Sequence, residues 1–111
     1  MKGSYLGEFE ELVMLTVGVL FPEAYGVAIK KEILKQTKRK VTLSAVHAVL
    51  HRLQNKGFLT SKFGEATKER GGKRKKYFTI TLAGTTTLDH SMDTRKELWS
   101  KIPKLALQGN N

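Results

Sequence analysis

Apolar residues recur at helical spacing in three successive stretches before the period changes. Phe9, Leu12, Val13, Thr16, Val17 and Leu20 fall three and four apart, after Glu8, Glu10 and Glu11, acids suited to the positive end of a starting helix. Leu15 and Val19 lie on another face of the same segment, so this helix is apolar on two sides and asks for cover beyond its own domain. Past a turn at Pro22, the spacing predicts a second helix from about Tyr25 to Thr37, which buries Ala28, Ile29 and Ile33 and leaves Lys30, Lys31 and Lys35 wet. Lys38, Arg39 and Lys40 lead into a third helix. Thr42 is its N-cap, because a threonine hydroxyl can accept a bond from an unpaired first-turn N–H. Leu43, Val46, Leu50 and Leu53 form its buried stripe, and Gly57 is its stop signal. Ser44, His47, Ala48, His51 and Asn55 lie on the opposite side, with Arg52 at the edge.

The period then becomes two. Leu59, Ser61 and Phe63 alternate with Thr60 and Lys62, and Phe78 and Ile80 alternate with Tyr77, Thr79 and Thr81, which predicts a hairpin of two short strands. The stretch between them, Glu65 to Lys75, is a polar tip containing Gly71-Gly72. Thr81 can cap a fourth helix from Leu82 to near Lys101, ended by Pro103, with a loose tail from Gln108 to Asn111. Leu88, Met92, Arg95, Trp99 and Ile102 follow one another in steps of four, three, four and three, a heptad-like seam about two repeats long. The whole pattern is α+β: a winged helix-turn-helix over residues 1–82, and a C-terminal dimerisation helix with its tail over 83–111. The seam and the spare face of the first helix, Leu15 and Val19, together make the expected dimer interface.

Composition narrows the chemistry. A chain of 111 residues that is 40% hydrophobic and 27% charged builds one small core. The absence of cysteine excludes disulfides, thiolate zinc sites and a cysteine nucleophile. The longest apolar run, Leu12 to Phe21, is too short to span a bilayer, and the acids before it stand where an export signal carries positive charge, so a cytoplasmic protein without a membrane partner is expected. The net charge of +10 is concentrated: residues 30–76 hold fifteen basic side chains against three acidic ones, while residues 1–29 carry a net −3. A one-sided cationic surface on a small folded protein points to a polyanionic partner, nucleic acid first.

A third helix followed by a basic hairpin suits double-stranded DNA: the helix enters the major groove, and the hairpin lies along the backbone or in a neighbouring minor groove. Small residues at Ser44, Ala45 and Ala48 allow close approach, so Thr42, Ser44, His47, Ala48, His51 and Arg52 form the expected reading set. Lys68, Arg70, Lys73, Arg74 and Lys75 form the phosphate-neutralising set. An ordinary solvated helix face would look the same in isolation; the adjoining basic wing decides between them. A basic RNA-binding or ribosome-associated module is the alternative, disfavoured because the sheet offers few aromatic stacking positions. His47 and His51 have metal-compatible spacing but lack a third ligand, so no metal or cofactor is expected. Asp89, His90 and Ser91 are adjacent on a helix and cannot converge as a triad, and no enzyme activity is expected.

The order of these pieces resembles the PadR family of bacterial transcriptional regulators across residues 6–84. The matching stretches are Leu6-Gly7-Glu8-Phe9-Glu10-Glu11-Leu12-Val13, Glu23-Ala24-Tyr25-Gly26-Val27-Ala28-Ile29, Val41-Thr42-Leu43-Ser44-Ala45-Val46, Arg52-Leu53 and Lys56-Gly57. The wing matches from Arg70 to Phe78 and the exit at Thr81-Leu82-Ala83-Gly84. The chain departs from the family at His47, where Tyr is usual, and at Gln54, where Glu is common. The resemblance implies a homodimeric repressor of the small subfamily, with a single helix after the wing through which it dimerises. It also implies a site for a flat aromatic or hydrophobic effector near the interface, where this chain offers Trp99.

Overall fold

The computed structural model describes residues 6–65 and 74–109. Its elements are α1 (Glu8–Leu20), α2 (Gly26–Thr37), α3 (Leu43–Asn55), β1 (Leu59–Phe63), β2 (Lys76–Ile80) and α4 (Leu82–Lys101), followed by a short 3-10 turn at Lys104–Leu107. This is the α+β winged helix-turn-helix read from the periodicity.

Each boundary has a local cause. Gly7 is extended before α1 and donates its N–H to Glu10 Oε1 at 2.9 Å, satisfying a backbone donor at the helix entry. Thr42 caps α3 as expected: its Oγ1 accepts from the Ala45 N–H at 3.1 Å. Gly57, at φ +83°, ends that helix in the left-handed region a glycine enters without steric cost. Thr81 serves two elements, accepting from Gly84 N at 3.0 Å to cap α4 and donating to the Gly57 carbonyl at 2.6 Å to fasten α4 to the end of α3. The second helix starts one residue later than its periodicity suggests. Tyr25 is extended, and Phe78 N donates to Ala24 O at 2.8 Å, so the chain entering α2 runs beside the edge of β2 and turns helical at Gly26.

The two strands are antiparallel, with Leu59 opposite Ile80, Ser61 opposite Phe78 and Phe63 opposite Lys76. Leu59 and Phe78 bury themselves against the helices. The centre of the core is Val13, Met14 and Val17 of α1, Ile29 and Ile33 of α2, and Val46, Val49, Leu50 and Leu53 of α3. Burying side chains of this size contributes about 1.5–3 kcal/mol each. At the base of α4, Gly84 packs so closely that a Cβ would fall on the Phe58 carbonyl oxygen.

Beyond its first turns α4 leaves this body. Gly84 is its buried residue, Leu88 packs partly on the core, and Trp99 is 65% exposed. Twenty residues of helix reach about 30 Å, and the molecule is correspondingly drawn out to 58 × 34 × 20 Å. Among the described residues, no helix is long and apolar enough to cross a membrane.

Candidate nucleic-acid interface

The buried stripe of α3 holds the helix against α1 and α2 and turns its other side outward. Ser44, His47, Ala48, His51, Arg52 and Asn55 are all exposed. Thr42 is exposed as well, but its hydroxyl already serves the helix end and lies 3.3 Å from Ser44 Oγ. His47 is placed by a glycine. Gly26 opens α2 directly beneath the imidazole, and a Cβ there would lie 2.8 Å from His47 Cδ2 and nearer still to Nε2. Between the start of α2, α3 and β2 lies a cavity of about 400 Å3, with Leu43, Leu50 and Phe78 among its apolar walls and His47, His51 and Lys76 among its polar ones. It is the groove between α3 and the hairpin.

The wing's cations rest on aromatic rings. The Arg74 guanidinium lies 5.1 Å from the Phe63 ring centre, and Lys76 Nζ stands between Phe63 and Phe78 at 5.8 and 5.7 Å. Lys75 Nζ sits 4.4 Å from the Tyr25 ring, itself edge-on to Tyr77 at 5.9 Å. Ring faces attract cations, by about 0.5–1 kcal/mol at exposed sites, and hold these long side chains in line along the hairpin. Of the phosphate-neutralising set, Arg74 and Lys75 are seen here; Lys68, Arg70 and Lys73 lie outside the described residues.

Two buried acids organise the rest. Glu10, only 9% exposed at its side chain, accepts from Arg52 Nε at 3.0 Å and from Lys56 Nζ at 3.0 and 3.2 Å. Burial alone would push its carboxyl up. The bonds from the Gly7 N–H, Lys56 and Arg52 outweigh this and hold it below the ordinary glutamate value. Glu11 is equally buried and accepts from Arg95 Nη2 at 3.1 Å, so this member of the α4 seam has a partner within its own chain. Reading these acids as complements to the helix dipole misses their burial. The signal was present for Glu10, which begins the stripe Glu10-Val13-Met14-Val17 at i, i+3, i+4 and i+7. A carboxylate on a core stripe needs a partner; Arg52 of α3 and Lys56 at the end of that helix supply two.

The expected interface residues divide. The reading set comes together on α3, with the wing beside it. Leu15 and Val19 lie exposed on α1, whereas on α4 Met92 is half-buried and Trp99 exposed, with Ile102 exposed just past the helix end. Among the described residues, no group of three or more His, Asp and Glu side chains is placed to hold a metal ion.

A helical body that exposes one polar, small-residue helix face beside a cationic hairpin is a winged helix-turn-helix, a nucleic-acid-binding class. The family model of the PadR-like transcriptional regulators matches residues 17–90, and the chain belongs to that family. Its members are transcriptional regulators acting on DNA, not enzymes. The fold is similar to a PadR-like transcription factor from Bacteroides fragilis, 27% identical, covering 83% of this chain and 84% of that one with a TM-score of 0.70. A PadR family regulator from Eggerthella lenta DSM 2243 is 28% identical over 93% of this chain and 88% of its own, at TM-score 0.68. A PadR-like regulator from Bacillus cereus shares the fold at 19% identity, covering 92% and 93% of the two chains with a TM-score of 0.72. No curated protein matches the chain.

Proposed function

We propose that the protein is a cytoplasmic homodimeric repressor that binds a pseudo-palindromic operator. The α3 face would read bases in the major groove through Ser44, His47, Ala48, His51 and Arg52, while Arg74 and Lys75, with Lys68, Arg70 and Lys73 of the tip, neutralise phosphates. The observation that carries this reading is the exposed α3 face lying across an open groove from ring-supported wing cations. A phosphate backbone separating a major from a minor groove suits that gap. Occupancy of a promoter is sufficient for repression.

The dimer would rest on two apolar surfaces exposed in one chain, Leu15 and Val19 of α1, and Trp99 of α4 with Ile102 just beyond its end, continued inward by the half-buried Met92 and Leu88. Two Trp99 rings brought together across a two-fold axis would form a seat for a flat aromatic or hydrophobic effector, and such a ligand would act by altering the spacing of the two reading heads. Selection of bound fragments from the source genome, followed by footprinting, tests the reading. The expected result is a pseudo-palindrome whose half-sites lie about one DNA turn, or a multiple of it, apart. Fragments bound without symmetry or sequence preference would contradict it.

A further inference from the structure

Arg52 is not a free surface arginine. Its Nε is bonded to Glu10 at 3.0 Å while its side chain remains 54% exposed. The carboxylate that holds it is buried in the α1–α3 seam and anchored independently by Lys56 and by the Gly7 N–H. Nε is one of five donors on a planar fork, and bonding it to a fixed acceptor sets both the plane and the direction of the guanidinium without using the terminal nitrogens. Two such terminal donors in a fixed plane are what bidentate recognition of a base edge requires, guanine O6 and N7 being the pattern an arginine fits.

We propose that Glu10 is the positioning residue for sequence readout by Arg52: it holds the guanidinium in one orientation, so that a guanine is preferred at one position of each half-site. The inference rests on the reading of α3 as the base-contacting helix. Glu10 itself touches no DNA. Without it Arg52 keeps its charge and its attraction to phosphates, but meets the base edge from many rotamers. Ordering such a side chain on binding costs affinity of about twofold to tenfold, and the loss falls on the guanine-bearing sites that use the fixed geometry.

The test is selection from a pool of randomised duplex DNA by the full-length protein and four variants. Arg52→Lys keeps the charge, removes the fork, and identifies the positions that Arg52 reads. Glu10→Gln weakens the anchor. Glu10→Leu combined with Lys56→Met removes the buried carboxylate together with its half-buried lysine partner, replacing both by apolar side chains of similar volume, a change that ion pairs of this kind commonly tolerate. Lys56→Met alone is the control. The proposal expects both Glu10 variants to lose guanine preference by about threefold to tenfold at the same symmetry-related positions as Arg52→Lys, with every other position unchanged and Lys56→Met keeping the wild-type motif. It is overturned if the Glu10 variants retain that preference, if they lose preference evenly at all positions, or if Arg52→Lys alters no position. Should the wild type itself enrich no sequence, it is the base-contacting reading of α3 that fails, and this inference with it.

Discussion

Gly26 and His47 show how the absence of one Cβ can set the place of a neighbouring side chain. The imidazole lies where a Cβ at position 26 would stand, so Gly26→Ala must displace either His47 or the first turn of α2. Overpacking of this kind costs about 1–3 kcal/mol. Urea melts should show that loss for Gly26→Ala, and His47→Ala in the same background should recover most of it. If the double variant is no more stable than Gly26→Ala, the imidazole is not what the methyl meets. Glu10 gives a pH-dependent counterpart. Its folded-state carboxyl lies below the ordinary value of 4.5, so its stabilising effect is fully present above that value and is lost as the pH falls through the folded one. The stability gap between wild type and Glu10→Gln should therefore be constant near neutral pH and close below about pH 4.5. A gap that persisted unchanged into stronger acid would contradict the pairing. Neither arrangement was fully legible in the sequence. Gly26 reads as an ordinary helix-start glycine until α3 is packed across it, and Glu10 sits on a core stripe whose partners are Arg52, 42 residues on, and Lys56, 46 residues on. Local pattern announces burial; it does not name a partner that distant in the chain.

The elements themselves were legible because each carries its own punctuation. Thr42, Gly57 and Thr81 act locally and mark boundaries the chain adopts. The start of α2 was shifted by a tertiary bond, Phe78 N to Ala24 O, which no local rule contains. The fourth helix carries the clearest unfinished surface. Its first turns are fixed by Gly84 and Leu88, Met92 is half-buried, and residues 93–101 are exposed. Arg95 is turned back to Glu11 of α1, which leaves the apolar members for the proposed seam. Met92→Glu places a carboxylate in that seam, where desolvation without a partner costs several kcal/mol. Sedimentation velocity at micromolar concentration should give a dimer for wild type and a monomer for the variant. A wild-type monomer would end the proposed assembly.

At the scale of the whole molecule, charge and shape run together. Acids of the N-terminal segment neutralise selected cations through Glu8–Arg39 at 2.8 Å, Glu10–Arg52 and Glu10–Lys56. The wing cations face aromatic rings instead, which hold them without cancelling their charge. Among the described residues, the fold thus separates cations tethered to acids near α1 and α3 from cations set on aromatic rings along the hairpin. Composition could give the size of the excess and its place in the chain; which cations retain an unneutralised charge emerges only once the hairpin is paired in register.

The measurement that bears most directly on the central claim, that this is a duplex-DNA-binding regulator whose wing neutralises phosphates, is fluorescence anisotropy of a labelled duplex titrated with the protein across a salt series. Structured RNA of equal length serves as competitor. For wild type, log affinity should fall linearly with log salt concentration, and duplex DNA should outcompete the RNA. Arg74→Ala and Lys75→Ala should each flatten the slope by roughly 0.9 and weaken selected and random duplexes alike. A wild-type affinity independent of salt, a preference for the RNA, or wing variants with the wild-type slope would contradict the account.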